Sequence, residues 1–116
     1  MRHRKKGFLL GREKEQREAL IRGLMIALIE HRRITTTLAK AKAVQPEIEK
    51  LISLARHDTP HNRRMALSRL ASKTAMRRLF SFAPTEYAHR TSGFTRITKI
   101  GQRQGDGATM VQIELL

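Results

Sequence analysis

Residues 14–30 carry the clearest helical pattern in the chain. Apolar side chains recur there every fourth residue, with apolar neighbours, at Leu20, Ile21, Leu24, Met25 and Leu28. This spacing places them on one side of a helix. Glu18 precedes Arg22 by four residues, which favours a solvated opposite face. From Leu24 to Ile29 every residue is apolar, so this end of the predicted helix needs cover on more than one side.

A short strand and a second helix are predicted next. Residues 34–37 are all β-branched, which favours a strand. Thr36 or Thr37 can then cap a helix, because a hydroxyl accepts a hydrogen bond from a free N–H group of the first turn. Apolar positions with helical spacing continue through residues 38–55. Pro46 lies inside this pattern, so we expect a kink or a break there.

Two further helices are predicted after residue 57. Asp58-Thr59-Pro60 combines a capping residue with a proline suited to a first turn. The third helix then ends near Ser72, which can cap a fourth. The fourth helix has an apolar stripe at Met76, Leu79 and Phe80. Residues 81–93, which include a proline and a glycine, are predicted to be irregular.

The last 23 residues are predicted to form a β-hairpin. Residues 94–100 and 110–115 are rich in β-branched and apolar side chains, and the second segment alternates apolar and polar positions. The segment between them holds three glycines and an Asp-Gly pair, which is typical of a hairpin loop.

Together these elements predict an α+β fold in the order helix, strand, three helices, two strands. One layer of helices is expected to cover one face of a small three-stranded sheet, as a two-layer α/β arrangement. Residues 1–13 are interpreted as a basic, extended N-terminal arm that becomes ordered on a partner. Residues 14–116 are expected to form a single domain, since a chain of 116 residues has room for one modest core.

Charge indicates the class of partner. Twenty-four Lys and Arg oppose ten Asp and Glu, which gives a net charge of +14 and a pI near 11.6. Such a surplus favours a polyanion, most commonly nucleic acid and otherwise anionic lipid. Residues 1–12 hold five Lys and Arg without an acid, and residues 62–105 hold ten against Glu86 alone. The arm has no core to serve, so we predict that it binds the polyanion.

Residues 31–46 combine three threonines with four cations. Arg32 and Arg33 follow the first predicted helix, where the helix dipole also favours a cation. Lys40 and Lys42 would point about 200° apart on a helix, so they cannot both serve one flat face. Free N–H groups at the predicted helix start would suit a phosphate. Alternatively, the threonines serve only as strand and cap.

The residue types give no support for catalysis, a metal or a membrane span. The absence of cysteine removes disulfides, thiolate ligands and cysteine nucleophiles. His57 and His61 are four apart, but no third ligand follows, and no Ser, His and Asp form a catalytic set. We therefore predict no enzyme, no metal and no cofactor. No apolar run approaches the roughly 18 residues of a membrane span, and the chain is expected to be intracellular and unprocessed.

Aromatic side chains are scarce, at Phe8, Phe80, Phe82, Tyr87 and Phe94. A sheet that reads single-stranded RNA needs paired stacking aromatics on its strands, and only Phe94 falls near a predicted strand. We therefore expect contact with the shape and backbone of folded, duplex-rich nucleic acid.

Several blocks of sequence are specific when taken together. They are MRHRKKG and LGR at the start, LIEHRRITTTLAKAK at 28–42, EKLISLA at 49–55, RR at 63–64, GFTRITKIG at 93–101 and GDGATMVQIEL at 105–115. In this colinear order they resemble the bacterial ribosomal protein L-seventeen family of the large subunit. The chain departs from the family pattern at Phe8, Leu9, Gln45 and Gln104 and in a slightly longer APTEYAHR segment.

The resemblance implies a structural constituent of the large ribosomal subunit that supports translation in the cytoplasm. It implies binding to large-subunit ribosomal RNA near the outer opening of the peptide exit tunnel, among neighbouring ribosomal proteins, with no membrane and no small-molecule substrate. A bacterial or an organellar source is left open. The RNA-binding candidates are Arg2, His3, Arg4, Lys5, Lys6, Arg12, Arg32, Arg33, Thr35, Thr36, Lys40, Lys42, Arg63, Arg64, Arg96, Lys99 and Arg103.

Two other functions stay open at this point. A basic DNA-compacting architectural protein would share the charge but would show no preference for folded ribosomal RNA. A membrane-surface module would need a wide cationic face opposite an apolar one. The glutamates of residues 14–30 argue against the membrane alternative.

Overall fold

The computed structural model describes residues 13–116, which form four helices and a three-stranded antiparallel sheet. In chain order the elements are α1 (Lys14–His31), β1 (Arg33–Thr37), α2 (Leu38–Ala55), α3 (Pro60–Leu70), α4 (Lys73–Glu86), β2 (Thr95–Gln102) and β3 (Thr109–Leu115). The predicted α+β class and the predicted order of elements are confirmed. Residues 1–12 of the arm lie outside the described residues, so the division into arm and domain stays a prediction.

Three helices begin at hydroxyl caps that the sequence predicts. The side chains of Thr37, Thr59 and Ser72 each accept a hydrogen bond from the N–H group three residues on, at 3.4, 3.1 and 3.2 Å. Each bond satisfies one N–H group that a first turn leaves without a partner, and such a cap stabilises a helix by about 1 kcal/mol. The caps therefore fix the starts of α2, α3 and α4.

Two prolines lie inside helices and do not end them. Helix α2 continues through Pro46, so the predicted alternative of a break is wrong, whereas the alternative of a kink stays a prediction. Helix α4 continues through Pro84, so the prediction of irregular structure is wrong for residues 81–86. A proline removes one helical hydrogen bond. Phe82 and Ala83 on the same turn are buried, and their burial offsets that loss.

Strand β3 is central and pairs antiparallel with β1 on one side and β2 on the other. Strands β2 and β3 form the predicted hairpin, and a register shift between Lys99 and Gly101 marks an irregularity in β2. Along β3, Val111, Ile113 and Leu115 are buried, whereas the residues between them are only partly covered. One face of the sheet therefore meets the core and the other does not.

The helices cover the core face of the sheet in an uneven way. Helices α1 and α2 contact the strands, whereas α3 and α4 pack against α1 and α2 and contact no strand within residues 13–116. Burying a side chain such as Ile113 completely stabilises the fold by about 1.5–3 kcal/mol. Because the core lies between these layers, the open face of the sheet and the outer sides of α3 and α4 remain exposed.

A carboxylate of α2 holds the start of β2 in place. Glu49 Oε1 accepts hydrogen bonds from the N–H groups of Phe94 and Thr95 at 3.1 and 3.0 Å, and from the Thr95 hydroxyl at 2.8 Å. Gln45, one turn earlier, donates to the same hydroxyl at 3.0 Å. Phe94 itself is buried in edge-to-face contact with Tyr87, with the ring centroids 5.2 Å apart. These contacts position the open face of the sheet relative to the helices.

Candidate nucleic-acid interface

The strand register brings three RNA-binding candidates onto one surface. Arg33 and Arg96 both lie opposite Glu114 of the central strand, and Thr35 lies opposite Gln112. Since side chains alternate between the faces of a sheet, these residues share the side that the helices leave uncovered. We call Arg33, Thr35, Arg96, Thr98, Gln112 and Glu114 the open sheet face. The sequence supplied the candidates, and the pairing with β3 joins them.

The other two strand candidates lie on the opposite side. Thr36 pairs with Val111 and is only 8% exposed, so its side chain faces the helices. Lys99 pairs with the same residue near the far end of β2, yet its side chain is exposed at the sheet margin. The alternation of exposure along β1 therefore separates Thr35 from Thr36.

Arg32 is held within the fold. It ends α1 in a left-handed conformation, with φ 70°, and its N–H donates to the carbonyl of Leu28 at 2.8 Å. Its guanidinium donates to the carboxylate of Glu86 and lies 4.2 Å from the centroid of the Phe82 ring. These contacts tie the end of α1 to the end of α4. The side chain is 36% exposed, so it reaches the surface at the same time.

Two further arginine candidates grip nearby carboxylates. Arg63 donates from Nε and Nη2 to both oxygens of Asp58, at 2.6 and 2.8 Å, and this hydrogen bonding lowers the pKa of Asp58. Arg103 grips Asp106 in the same bidentate way across the hairpin loop and lowers the pKa of that carboxyl to about 2. Both pairs are exposed, so each contributes little stability but orients its guanidinium.

The two candidate lysines of α2, Lys40 and Lys42, occupy different environments, as the helical spacing predicts. Lys40 is half-buried, whereas Lys42 is exposed and lines an open groove of about 720 Å³ between α1, α2 and α3. Lys50 and Arg69 line the same groove, together with acidic and apolar side chains. Neither Lys40 nor Lys42 forms an ion pair with another residue in the range 13–116. The groove thus combines cations from three helices.

The structure reveals exposed cations that the candidate set omits. Lys73, Arg77 and Arg78 lie on the outer side of α4, and Arg69 of α3 lines the groove described above; none of the four forms an ion pair with any residue from 13 to 116. Arg64 of α3, which is a candidate, is exposed as well. The excess of Lys and Arg over acids in residues 62–105 is the sequence signal that contains them.

Other kinds of site find no geometry in the described part of the chain. Among residues 13–116, no three His, Asp or Glu side chains come together as a metal site. No helix in that range is long and apolar enough to cross a membrane. All four aromatic side chains described, at Phe80, Phe82, Tyr87 and Phe94, are buried in the core. Stacking of bases on these rings is therefore excluded in this fold.

The molecule is a small, strongly basic α+β protein whose described residues show no catalytic constellation. A family model for ribosomal protein L17 matches residues 20–116. The chain is 71% identical to large ribosomal subunit protein bL17 of Chloroflexus aggregans and 70% identical to that of Chloroflexus aurantiacus, over 116 residues and the whole of both chains. It is 47% identical to the bL17 of Thermomicrobium roseum over 116 residues, which covers 100% of this chain and 99% of the relative.

The chain therefore belongs to the ribosomal protein L17 family, a family of structural proteins of the large ribosomal subunit that are not enzymes. This confirms the resemblance that the sequence blocks indicate.

Proposed function

We propose that this chain binds large-subunit ribosomal RNA near the outer opening of the peptide exit tunnel, beside neighbouring ribosomal proteins, in the ribosomes of the bacterial cytoplasm. The observation that carries this proposal is a set of exposed cations left unneutralised by the fold. Arg33, Lys42, Arg64 and Lys99 are exposed and form no ion pair within residues 13–116. The names of the relatives place those proteins in the large ribosomal subunit.

Phosphate contact is the mode of binding that these side chains favour. Each Lys or Arg that neutralises a phosphate releases condensed counterions, so affinity falls steeply with salt. The open sheet face adds hydroxyl and amide groups at Thr35, Thr98 and Gln112, which also bind phosphate and sugar oxygens. Because the aromatic rings within residues 13–116 are buried, that part of the chain offers contacts to the backbone and shape of RNA and no stacking on bases.

The basic arm is proposed to add further phosphate contacts. Deleting residues 1–12 should leave α1 and the rest of the domain folded, because the caps and core described above lie within residues 13–116. The deletion removes five Lys and Arg, and the slope of log affinity against log salt should fall by up to about 3.5–4.5 if each contacts one phosphate. Filter binding to large-subunit ribosomal RNA across a salt titration measures the slope, and circular dichroism checks the fold.

A matched variant separates charge from length in this experiment. This variant keeps the length of the chain and has glutamine at Arg2, Arg4, Lys5, Lys6 and Arg12. It should reproduce the effect of the deletion. Equal affinities for the full-length and truncated proteins at every salt concentration would reject the role of the arm. Competition with duplex DNA of matched length tests the DNA-compacting alternative, because that protein would not prefer the ribosomal RNA.

The proposed location has its own test. Crosslinking in purified large subunits, mapped to nucleotide positions, should give adducts in RNA around the tunnel opening. Adducts confined to RNA far from that opening would overturn the location while leaving RNA binding intact.

A further inference from the structure

The outer side of α4 carries a compact cationic stripe. Lys73 and Arg77 are four residues apart, Arg78 is next to Arg77, and Thr74 and Ser81 complete the stripe. All five side chains are exposed, and we call them the α4 outer face. Its three cations have no carboxylate partner within residues 13–116. Across α3 and α4, from residue 60 to residue 85, the sequence contains six Lys and Arg and no acid.

The folded domain gains nothing from these charges by itself. Lys73 is in the first turn of α4, where the helix dipole disfavours a cation and no acidic residue is present. Lys73 and Arg77 are like charges at positions i and i+4, an arrangement that destabilises a helix. A bound anion along this face would relieve both effects. The charge pattern therefore points to an external polyanion.

The apolar side chains that flank the α4 outer face show whether a nucleic acid or a membrane is the better partner. A helix that lies on a lipid surface places apolar side chains into the bilayer beside its cations. In α4 the apolar side chains Met76, Leu79, Phe80 and Phe82 are all buried against the rest of the protein. None of them is free to insert into lipid, so the exposed face offers charge and hydroxyl groups alone. That chemistry suits a phosphate backbone.

We propose that the α4 outer face binds the phosphate backbone of a segment of large-subunit ribosomal RNA separate from the segment bound by the open sheet face. This inference rests on the proposed function. Helix α4 packs on α1, α2 and α3 and contacts no strand within residues 13–116, so its outer face and the open sheet face belong to different layers of the molecule. The chain then joins two RNA segments through one rigid core.

The experiment compares four double variants of the full-length chain. R77Q/R78Q removes two charges from the α4 outer face. K14Q/R90Q removes two exposed charges, one at the start of α1 and one in the segment that follows α4, neither of which belongs to a proposed binding surface. R77K/R78K keeps the charge of the α4 outer face. All the replaced side chains are exposed, and circular dichroism checks that each variant folds.

The probe is deproteinised large-subunit ribosomal RNA transcribed from the genome that encodes this chain. For R77Q/R78Q we expect the salt slope to fall by about 1.4–1.8, with loss of hydroxyl-radical protection over one RNA segment only. R77K/R78K should retain that protection, and K14Q/R90Q should retain the full footprint. R33Q/R96Q, which removes the two arginines of the open sheet face, should remove protection over a different segment.

Each contrary result identifies what has failed. No binding of the RNA by the full-length chain would overturn the proposed function and this inference together. Binding with an unchanged slope and footprint in R77Q/R78Q would overturn this inference alone. Loss of flotation with phosphatidylglycerol vesicles in R77Q/R78Q, with RNA protections intact, would overturn it in favour of a lipid surface. A single common segment lost in both R77Q/R78Q and R33Q/R96Q would also overturn it.

Discussion

Two sides of this molecule are both basic but differ in how many of their cations are paired with acids. The strand side comprises the cations of β1, β2 and the β2–β3 loop, and the α3–α4 side comprises the cations of α3 and α4. On the strand side, Arg96 donates to Glu114 of the next strand at 2.9 and 2.6 Å, and Arg103 grips Asp106. On the other side only Arg63 has a carboxylate partner, and the other cations of α3 and α4 have none within residues 13–116. Exposed pairs add little to stability, so their main effect is to orient charge.

This difference separates two uses of a basic surface. Where acids alternate with cations, the guanidinium groups are fixed by the fold and carry less net charge towards a partner. Where acids are absent, the repulsion between cations remains until an external anion arrives. Within residues 13–116, Arg33 and Lys99 of the strand side stay unpaired beside the oriented Arg96 and Arg103, whereas Arg63 alone is paired among the cations of α3 and α4.

The largest expected effect concerns Glu49, whose carboxylate holds the start of β2 on the strand side. Replacing Glu49 with alanine removes three hydrogen bonds and leaves the N–H groups of Phe94 and Thr95 without their acceptor. We expect the free energy of unfolding to fall by about 2–4 kcal/mol. Chemical denaturation measures this change.

Glu47→Ala is the matched control for the Glu49 variant. Glu47 is two residues away on α2, and its carboxylate lies 3.8 Å from Lys50 in an exposed pair. Its loss should change stability by less than about 0.5 kcal/mol. Similar losses of stability in the two variants would show that the hydrogen bonds of Glu49 do not hold the start of β2 in place.

A smaller effect is expected when an acid is removed from the strand side, which leaves its cations with fewer carboxylate partners, as on the α3–α4 side. Glu114→Gln removes the acid opposite Arg33 and Arg96 and frees the Arg96 guanidinium, which is 61% exposed. Binding to large-subunit ribosomal RNA should become tighter, and the salt slope should rise by about 0.7–0.9 if the freed arginine contacts one phosphate. Filter binding across a salt titration measures both quantities.

The control for this variant is Gln112→Glu, which adds an acid on the same face of the same strand. It should weaken RNA binding by simple repulsion. If Glu114→Gln left affinity unchanged while Gln112→Glu reduced it, the face would bind RNA without needing Arg96 to be released.

The local features of this fold follow from the sequence because they depend on neighbouring residues. Thr37, Thr59 and Ser72 cap helices through bonds that reach only three residues along the chain. Helical continuity through Pro84 depends instead on the burial of Phe82 and Ala83 against distant elements, which no local pattern contains. The central place of β3 likewise depends on its pairing with β1, more than 70 residues earlier in the chain.

The candidate site divides in the same way. Composition predicts which segments are basic, but the partner of each cation is set by tertiary structure. Arg32 meets a carboxylate 54 residues away, and Arg96 meets one 18 residues away. Arg77 and Arg78 lay outside the resemblance blocks, although the absence of acids from residues 60–85 pointed to their surface.

The smallest expected effect is an acid titration that compares one carboxylate from each side. Arg103 donates to both oxygens of Asp106, at 3.2 and 2.5 Å, and the N–H of Ala108 donates to Oδ1 at 3.1 Å. These bonds lower the pKa of Asp106 from 3.8 to about 2. Because the folded state then holds the proton less tightly than the unfolded state, the stabilisation is present above pH 3.8 and is lost as the pH falls towards 2.

Arg103→Gln should raise the pKa of Asp106 towards 3.8 and leave the pKa of Asp58 unchanged, whereas Arg63→Gln should raise the pKa of Asp58 and leave that of Asp106 unchanged. Carboxyl carbon shifts followed by NMR at low salt measure both groups, since screening weakens exposed pairs. A wild-type Asp106 that titrates at its ordinary value would show that the hairpin pair does not persist in solution, and Arg103 would then belong with the unpaired cations of α3 and α4.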